Sequence, residues 1–115
     1  VDWNMVLDRQ GGPNWFKNWC VAPIIVDDKN DEVYFTPLYY VMSHFSKFMR
    51  PGAVKIGCTI NSKEVVSTAV QNPDGSIAVA IFNPSDTNYS VEIKLNNKTK
   101  TITIPSKALQ TVVIK

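Results

Sequence analysis

The chain has little of what most enzymes build their chemistry from. One histidine, His44, and two cysteines, Cys20 and Cys58, are all it carries of those types, so a Cys/His zinc site or a nucleophile–histidine–acid triad has no partners to draw on. The two cysteines lie far apart and in no CxxC or Cys/His ligand spacing, which fits two buried free thiols better than a disulfide. Glutamate is scarce as well, with only Glu32, Glu64 and Glu92. The first falls in a charged turn, the second begins a predicted strand and the third lies on a wet strand face, so none makes a pair of carboxyl groups poised for acid–base work. There is no basic stripe either: 12 Lys and Arg against 10 Asp and Glu give a formal charge of +2, scattered along the chain, and nucleic-acid binding by bulk charge is unsupported. No apolar run approaches the roughly 20 residues that span a bilayer, and no basic segment with an apolar core precedes the first motif. The chain starts at Val1 rather than at an initiator methionine, which reads as an excised or processed piece of a longer polypeptide.

Aromatic residues are plentiful at one end only. Of 12 Phe, Trp and Tyr, ten precede Pro51-Gly52 and only Phe82 and Tyr89 follow. With 115 residues, 44% hydrophobic and 19% charged, the composition is globular, and the length suits one core better than two. The aromatic break therefore predicts two parts of different character, residues 1–52 and 53–115.

In the first part, Val1 to Leu7 reads as a short strand. Asp8 to Trp19 reads as a loop punctuated by Gly11-Gly12-Pro13-Asn14, where glycine supplies positive φ and proline fixes its own. The apolar run Val21 to Val26 and the charged turn Asp27 to Asp31 follow. Thr36 is a suitable N-cap and Pro37 a suitable first helical residue. Leu38, Val41, Met42, Phe45, Phe48 and Met49 then recur at helical spacing on one face, up to a stop at Arg50-Pro51-Gly52. His44 reads as packing rather than chemistry. One strand, a long loop and one helix cannot bury their apolar faces without parallel neighbours, and none is evident in the sequence.

The second part reads as strands at residues 54–60, 64–71, 76–83, 88–95, 98–104 and 108–114, joined by turns at Asn72 to Gly75, Pro84 to Asp86 and Asn96-Asn97. Tyr89, Val91, Ile93 and Leu95 alternate with polar residues, as on a strand with one wet face, whereas Ile77 to Phe82 is apolar on both faces and so central. The fold class expected is mainly β: an antiparallel sandwich, Greek-key and immunoglobulin-like, preceded by one β-loop-α unit.

Four spaced motifs carry a resemblance. Asp2-Trp3-Asn4, Gly11 to Trp15, Pro23 to Asp27 and His44 to Phe48 closely resemble the C-terminal part of the glycoside hydrolase family 30 enzymes, the glucosylceramidase group, over about the first 52 residues. The β-rich remainder, including Pro73-Asp74-Gly75-Ser76, is similar to that family's side domain. The resemblance implies that Val1 to about Leu7 is the last strand of a (β/α)8 barrel, Asp8 to Phe35 the loop after it and Thr36 to Met49 its last helix. Loops at the carboxyl ends of barrel strands build the active site, and aromatic rings grip sugar faces, which explains the crowding of tryptophans. By the same likeness Trp3 lines the sugar pocket and Asn18 is a pocket-lining amide, with Asn4 and Trp15 as further substrate-facing candidates.

Both catalytic glutamates of the family lie upstream of the matching segment, so the resemblance implies a parent enzyme that hydrolyses β-glucosyl-type bonds and a 115-residue chain that is inactive alone. It implies no cofactor and no metal. The partners implied are the β-glycoside substrate and the remainder of the barrel, with no membrane span. In the family a segment preceding the barrel also joins the side domain, so the sandwich is expected to lack a strand, and an open sheet edge invites self-association. The competing reading is a stand-alone carbohydrate-binding or structural module, which the paucity of aromatics after residue 53 disfavours.

Overall fold

Short-range alternation and turn chemistry account for most of the elements. The structure is a computed structural model that describes residues 4–13, 16–17, 19–60 and 62–115. Its strands are β1 (Val6–Asp8), β2 (Ile24–Asp27), β3 (Glu32–Phe35), β4 (Val54–Ile56), β5 (Val66–Gln71), β6 (Ile77–Asn83), β7 (Tyr89–Leu95), β8 (Lys98–Ile104) and β9 (Ala108–Ile114), with helix α1 (Pro37–Ser46) between β3 and β4. The chain is mainly β, with one helix among the described residues. It divides into two compact units, residues 1–43 and 44–115.

The first unit departs from a plain strand–loop–helix. β1, β2 and β3 form one sheet in that order, β1 and β2 parallel and β2 and β3 antiparallel. The segment from Asp8 to Phe35, expected as one long loop, thus contains a hairpin turned at Asp27 to Asp31, where Asp31 takes φ 55°. β2 is also a parallel neighbour to β1 that the sequence did not disclose. Of the strand expected at Val1 to Leu7, residues 1–3 lie outside the described residues and the observed strand is Val6–Asp8.

Pro37 opens the helix as expected, and the carbonyl of Thr36 accepts the Tyr39 amide at 3.0 Å. The Thr36 hydroxyl points back along the chain, donating to the carbonyls of Ala22 and Pro23 at 3.1 Å, so it fastens the entry to β2 as well as marking the helix start. Regular helix ends at Ser46, short of the expected Met49, although the Met49 amide still reaches the Phe45 carbonyl at 2.8 Å. No residue of α1 is buried, so the apolar stripe read from the sequence has no full cover among the described residues.

In the second unit β4-β5-β6-β9 form a four-stranded antiparallel sheet and β7-β8 a two-stranded one. β6 is central and buried over Ala78 to Ile81, as its doubly apolar sequence requires. Val65, Ala69, Val79, Ile81 and Ile104 form the core, against which Tyr89, Val91 and Ile93 of β7 pack from their dry face. A cavity of about 410 Å³ remains between the sheets, lined among others by Ile56, Val65, Ile81, Tyr89, Val91 and Ile93.

Two expectations fail here. β4 stops at Ile56 instead of running to residue 60, so Cys58 is exposed and not buried; its Sγ lies 3.3 Å from Ser67 Oγ. Both thiols are free, and Cys20 is half-buried. Phe82, assigned to a buried strand, is 41% exposed, because it lies near the end of β6 opposite Val66, which is itself exposed.

Buried asparagines hold the turns. Asn83 is fully buried; its Nδ2 donates to the carbonyls of Thr87, Ile104 and Pro105 at 2.8, 3.3 and 2.9 Å, and its Oδ1 accepts from the Ser85 amide and hydroxyl. Asn72 accepts the Arg50 amide at 2.9 Å and donates to the Phe48 carbonyl at 3.0 Å. His44 Nδ1 lies 3.0 Å from the Thr111 hydroxyl, which donates to the His44 carbonyl at 3.3 Å. These contacts seat His44 against Thr111 of β9.

Candidate functional site

A parallel pair cannot be joined by a tight turn, because the chain must travel back to the start of the second strand. In the first unit this return is residues 9–23, the longest connection in the chain, and it is where the sequence placed most of its candidate residues. Asn4, two residues before β1, is exposed. Trp3, Trp15 and Asn18 lie outside the described residues, so no geometry joins the four.

What the structure does describe is how the connection is fastened. The Asp8 carboxylate accepts the amides of Gln10 and Gly12 at 2.7 and 2.8 Å, while the Asp8 amide donates to the Gly12 carbonyl at 2.8 Å. The turn this makes places Gly11 at φ 73°, and a side chain there would come within 2.5 Å of the Cys20 backbone nitrogen and 2.7 Å of its oxygen. Only glycine admits both that φ and that approach of two main chains. The sequence flagged the two glycines as turn residues; the contact of Gly11 with Cys20 had no local signal.

Two residues before Gly11, Arg9 forms an ion pair with Asp27 at the end of β2, Nη1 to Oδ2 at 2.9 Å. Asp27 has no exposed surface. Its Oδ1 accepts the amides of Lys29 and Asn30 at 3.2 and 3.4 Å, and its Oδ2 accepts the Asn30 side-chain amide at 2.8 Å. Those bonds, the Asn30 side chain first, outweigh the cost of burying the charge and hold the Asp27 carboxyl below its ordinary value, with the Arg9 guanidinium adding to the effect. Sequence reasoning read Asp27 as a turn residue and missed it as an anchor.

Beyond the anchors, several described residues of the connection are exposed: Phe16 is 84% exposed, Trp19 74% and Val21 71%. On the hairpin that follows, the Tyr34 hydroxyl donates to the Glu32 carboxylate, which raises the phenol above its ordinary range. Phe35 and Tyr39 meet with ring centroids 4.6 Å apart. The three glutamates are engaged or placed separately: Glu32 with Tyr34, Glu92 with Lys94 at 3.3 Å, and Glu64 exposed ahead of β5.

Comparison with known proteins places both units. Residues 1–49 match the glycosyl hydrolase family 30 TIM-barrel domain, and residues 52–112 match the family 30 beta sandwich domain. The chain is 37% identical over 121 aligned residues to putative glucosylceramidase 4 of Caenorhabditis elegans, covering 100% of this chain and 23% of that protein. It is 38% identical over 94 residues to the lysosomal acid glucosylceramidase of Mus musculus, covering 81% of this chain and 18% of that one. Among solved structures, SrfJ from Salmonella typhimurium superposes with a TM-score of 0.93 at 28% identity, covering 99% of this chain and 26% of SrfJ. The chain thus spans about a quarter or less of the length of the relatives it matches.

Proposed function

Because the chain belongs to glycosyl hydrolase family 30, we propose that it is the C-terminal part of a retaining β-glycosidase of glucosylceramidase type, whose whole polypeptide hydrolyses β-glucosyl O-glycosidic bonds. This stretch contributes one wall of the sugar pocket and a bracing sandwich. The observation that carries the reading is the succession of two matches within one chain, the barrel domain to residue 49 and the sandwich domain from residue 52.

The division of labour follows from the chemistry. A retaining enzyme needs two carboxyl groups about 5 Å apart, one to attack the anomeric carbon and one to protonate the leaving oxygen. Glu32 is held by the Tyr34 hydroxyl, Glu92 is paired with Lys94 and Glu64 stands exposed ahead of β5, and on this reading both groups come from the polypeptide outside this stretch. The contribution of residues 1–52 is binding: ring faces of Trp3 and Trp15 against the apolar face of a sugar, and the amides of Asn4 and Asn18, which donate and accept at once, on its hydroxyls. Exposure of Asn4, Phe16 and Trp19 supports a ligand-facing surface.

The test is steady-state hydrolysis of an aryl β-glucoside by the full-length product. Trp3→Ala and Asn18→Ala are expected to lower kcat/KM by about a hundredfold each with the melting temperature little changed. Unaltered kinetics in both variants would remove these residues from the site.

A further inference from the structure

Likeness and packing divide the chain in different places. By likeness the barrel domain runs to residue 49 and the sandwich domain begins at residue 52, whereas by packing the second compact unit begins at His44. Residues 44–49 thus carry barrel-domain sequence and pack with the sandwich. What holds the end of this stretch is a side chain from the turn between β5 and β6. Asn72 is only 6% exposed; its Oδ1 accepts the Arg50 amide at 2.9 Å and its Nδ2 donates to the Phe48 carbonyl at 3.0 Å. A side-chain amide donates and accepts at once, so this one takes up the two main-chain groups on either side of Met49, as a neighbouring strand would. Asn72 is itself held, its Nδ2 also donating to the Ser76 hydroxyl at 3.0 Å and its main-chain amide to the Ser76 carbonyl at 2.8 Å. Further on, the Ala53 amide closes a turn onto the Arg50 carbonyl at 2.9 Å, a Cβ at Gly52 would stand 3.2 Å from Pro73 Cγ, and Val54 then pairs with Gln71.

We propose that Asn72 is a clasp that makes the junction between the two matched domains, residues 48–53, part of the sandwich's compact unit, so that the chain enters the sandwich on a fixed strap and not on a free linker. Domain boundaries ordinarily fall in exposed segments that few contacts cross, often rich in proline and glycine, and Arg50-Pro51-Gly52 has that composition. Its contacts are of the other kind. The partners of Asn72 lie 22 and 24 positions away in sequence, so local turn geometry does not produce them. The junction is also held on both flanks, by His44 on Thr111 before it and by Val54 on Gln71 after it. Truncating Asn72 leaves the Arg50 amide and the Phe48 carbonyl without their partner, and main-chain groups that lose a buried partner give up their protection from water. The clasp is independent of sugar binding, because none of these residues is a candidate for the pocket.

The experiment is amide hydrogen exchange, read by peptide mass spectrometry, on the full-length protein and its Asn72→Ala and Asn83→Ala variants. Asn83 is the matched control: it is buried and fully bonded too, but to Ser85, Thr87, Ile104 and Pro105, away from the junction. In wild type the slowest amides of residues 48–53 are expected to exchange within about tenfold of those of β6. In Asn72→Ala, exchange across residues 48–53 is expected to quicken about tenfold more than exchange across β6, whereas in Asn83→Ala the two segments should move together within about twofold. Exchange of residues 48–53 at free-chain rates in wild type overturns the proposal whatever the variants do. Selective quickening of the junction in both variants, or in neither, overturns it as well, because Asn72 would then be one more stabiliser of the sandwich.

Discussion

Asp27 and Asn83 are the residues on which the two units depend most visibly, and each makes a distinct prediction. Hydrogen bonds to its charged form keep Asp27 below the ordinary 3.8 of an aspartate, and the Ser76 hydroxyl and amide do the same for Asp74. A carboxyl depressed in the folded state adds stability that is complete above its unfolded value and is lost as pH falls through the folded one. Urea midpoints are therefore expected to be level from neutrality down to about pH 5 and to fall below about pH 4. In Asp27→Asn the acid fall should be shallower, and an unchanged acid profile would contradict the assignment. Asn83→Ala leaves the carbonyls of Ile104 and Pro105 without their donor, an expected loss of about 1–3 kcal/mol in unfolding free energy. Burial of these residues was not legible in the sequence: both stand in turn-like surroundings, and a turn asparagine on the surface has the same local pattern as one sealed by a strand some 20 positions away.

Among the elements, turns and strands with a strong local signal were readable and those made by distant contact were not. β5 to β9 follow the expected runs closely because alternation fixes their faces and the turn residues fix their ends. Asn96 takes φ 53° and Gly75 φ 83° where turns were expected. β2 and β3 escaped because each has only four residues, and the parallel pairing of β1 with β2 joins residues with no shared local pattern. The charged turn between two β-rich runs was a hairpin signal that the resemblance to a barrel loop overrode. Glycine substitutions separate the two kinds of turn. Gly75→Ala meets open space, so only the positive φ is penalised, by about 1–2 kcal/mol. Gly11→Ala meets the Cys20 backbone at 2.5 Å as well and is expected to cost clearly more by thermal denaturation; equal losses would argue against that contact.

At the scale of the molecule, what is unfinished is as informative as what is packed. Among the described residues β7 has a partner on one side only, the cavity between the sheets remains, and α1 buries no residue. The chain was legible as a member of family 30 because four spaced motifs carry that likeness, whereas the candidate pocket was legible only as residue identities, three of its four residues lying outside the described ones. Free strand edges pair with one another, so the isolated 115-residue chain is expected to self-associate through β7. Light scattering should show mass rising with concentration, and a monomer throughout would contradict this. The most direct test of the central claim is to trap the covalent glycosyl-enzyme intermediate with a slow fluorinated β-glucoside, on the full-length product and on this chain, and to locate the label by peptide mass spectrometry. The account predicts one sugar on a glutamate outside these 115 residues and none on the isolated chain. A label on Glu32, Glu64 or Glu92, or no label on an active full-length enzyme, would contradict it.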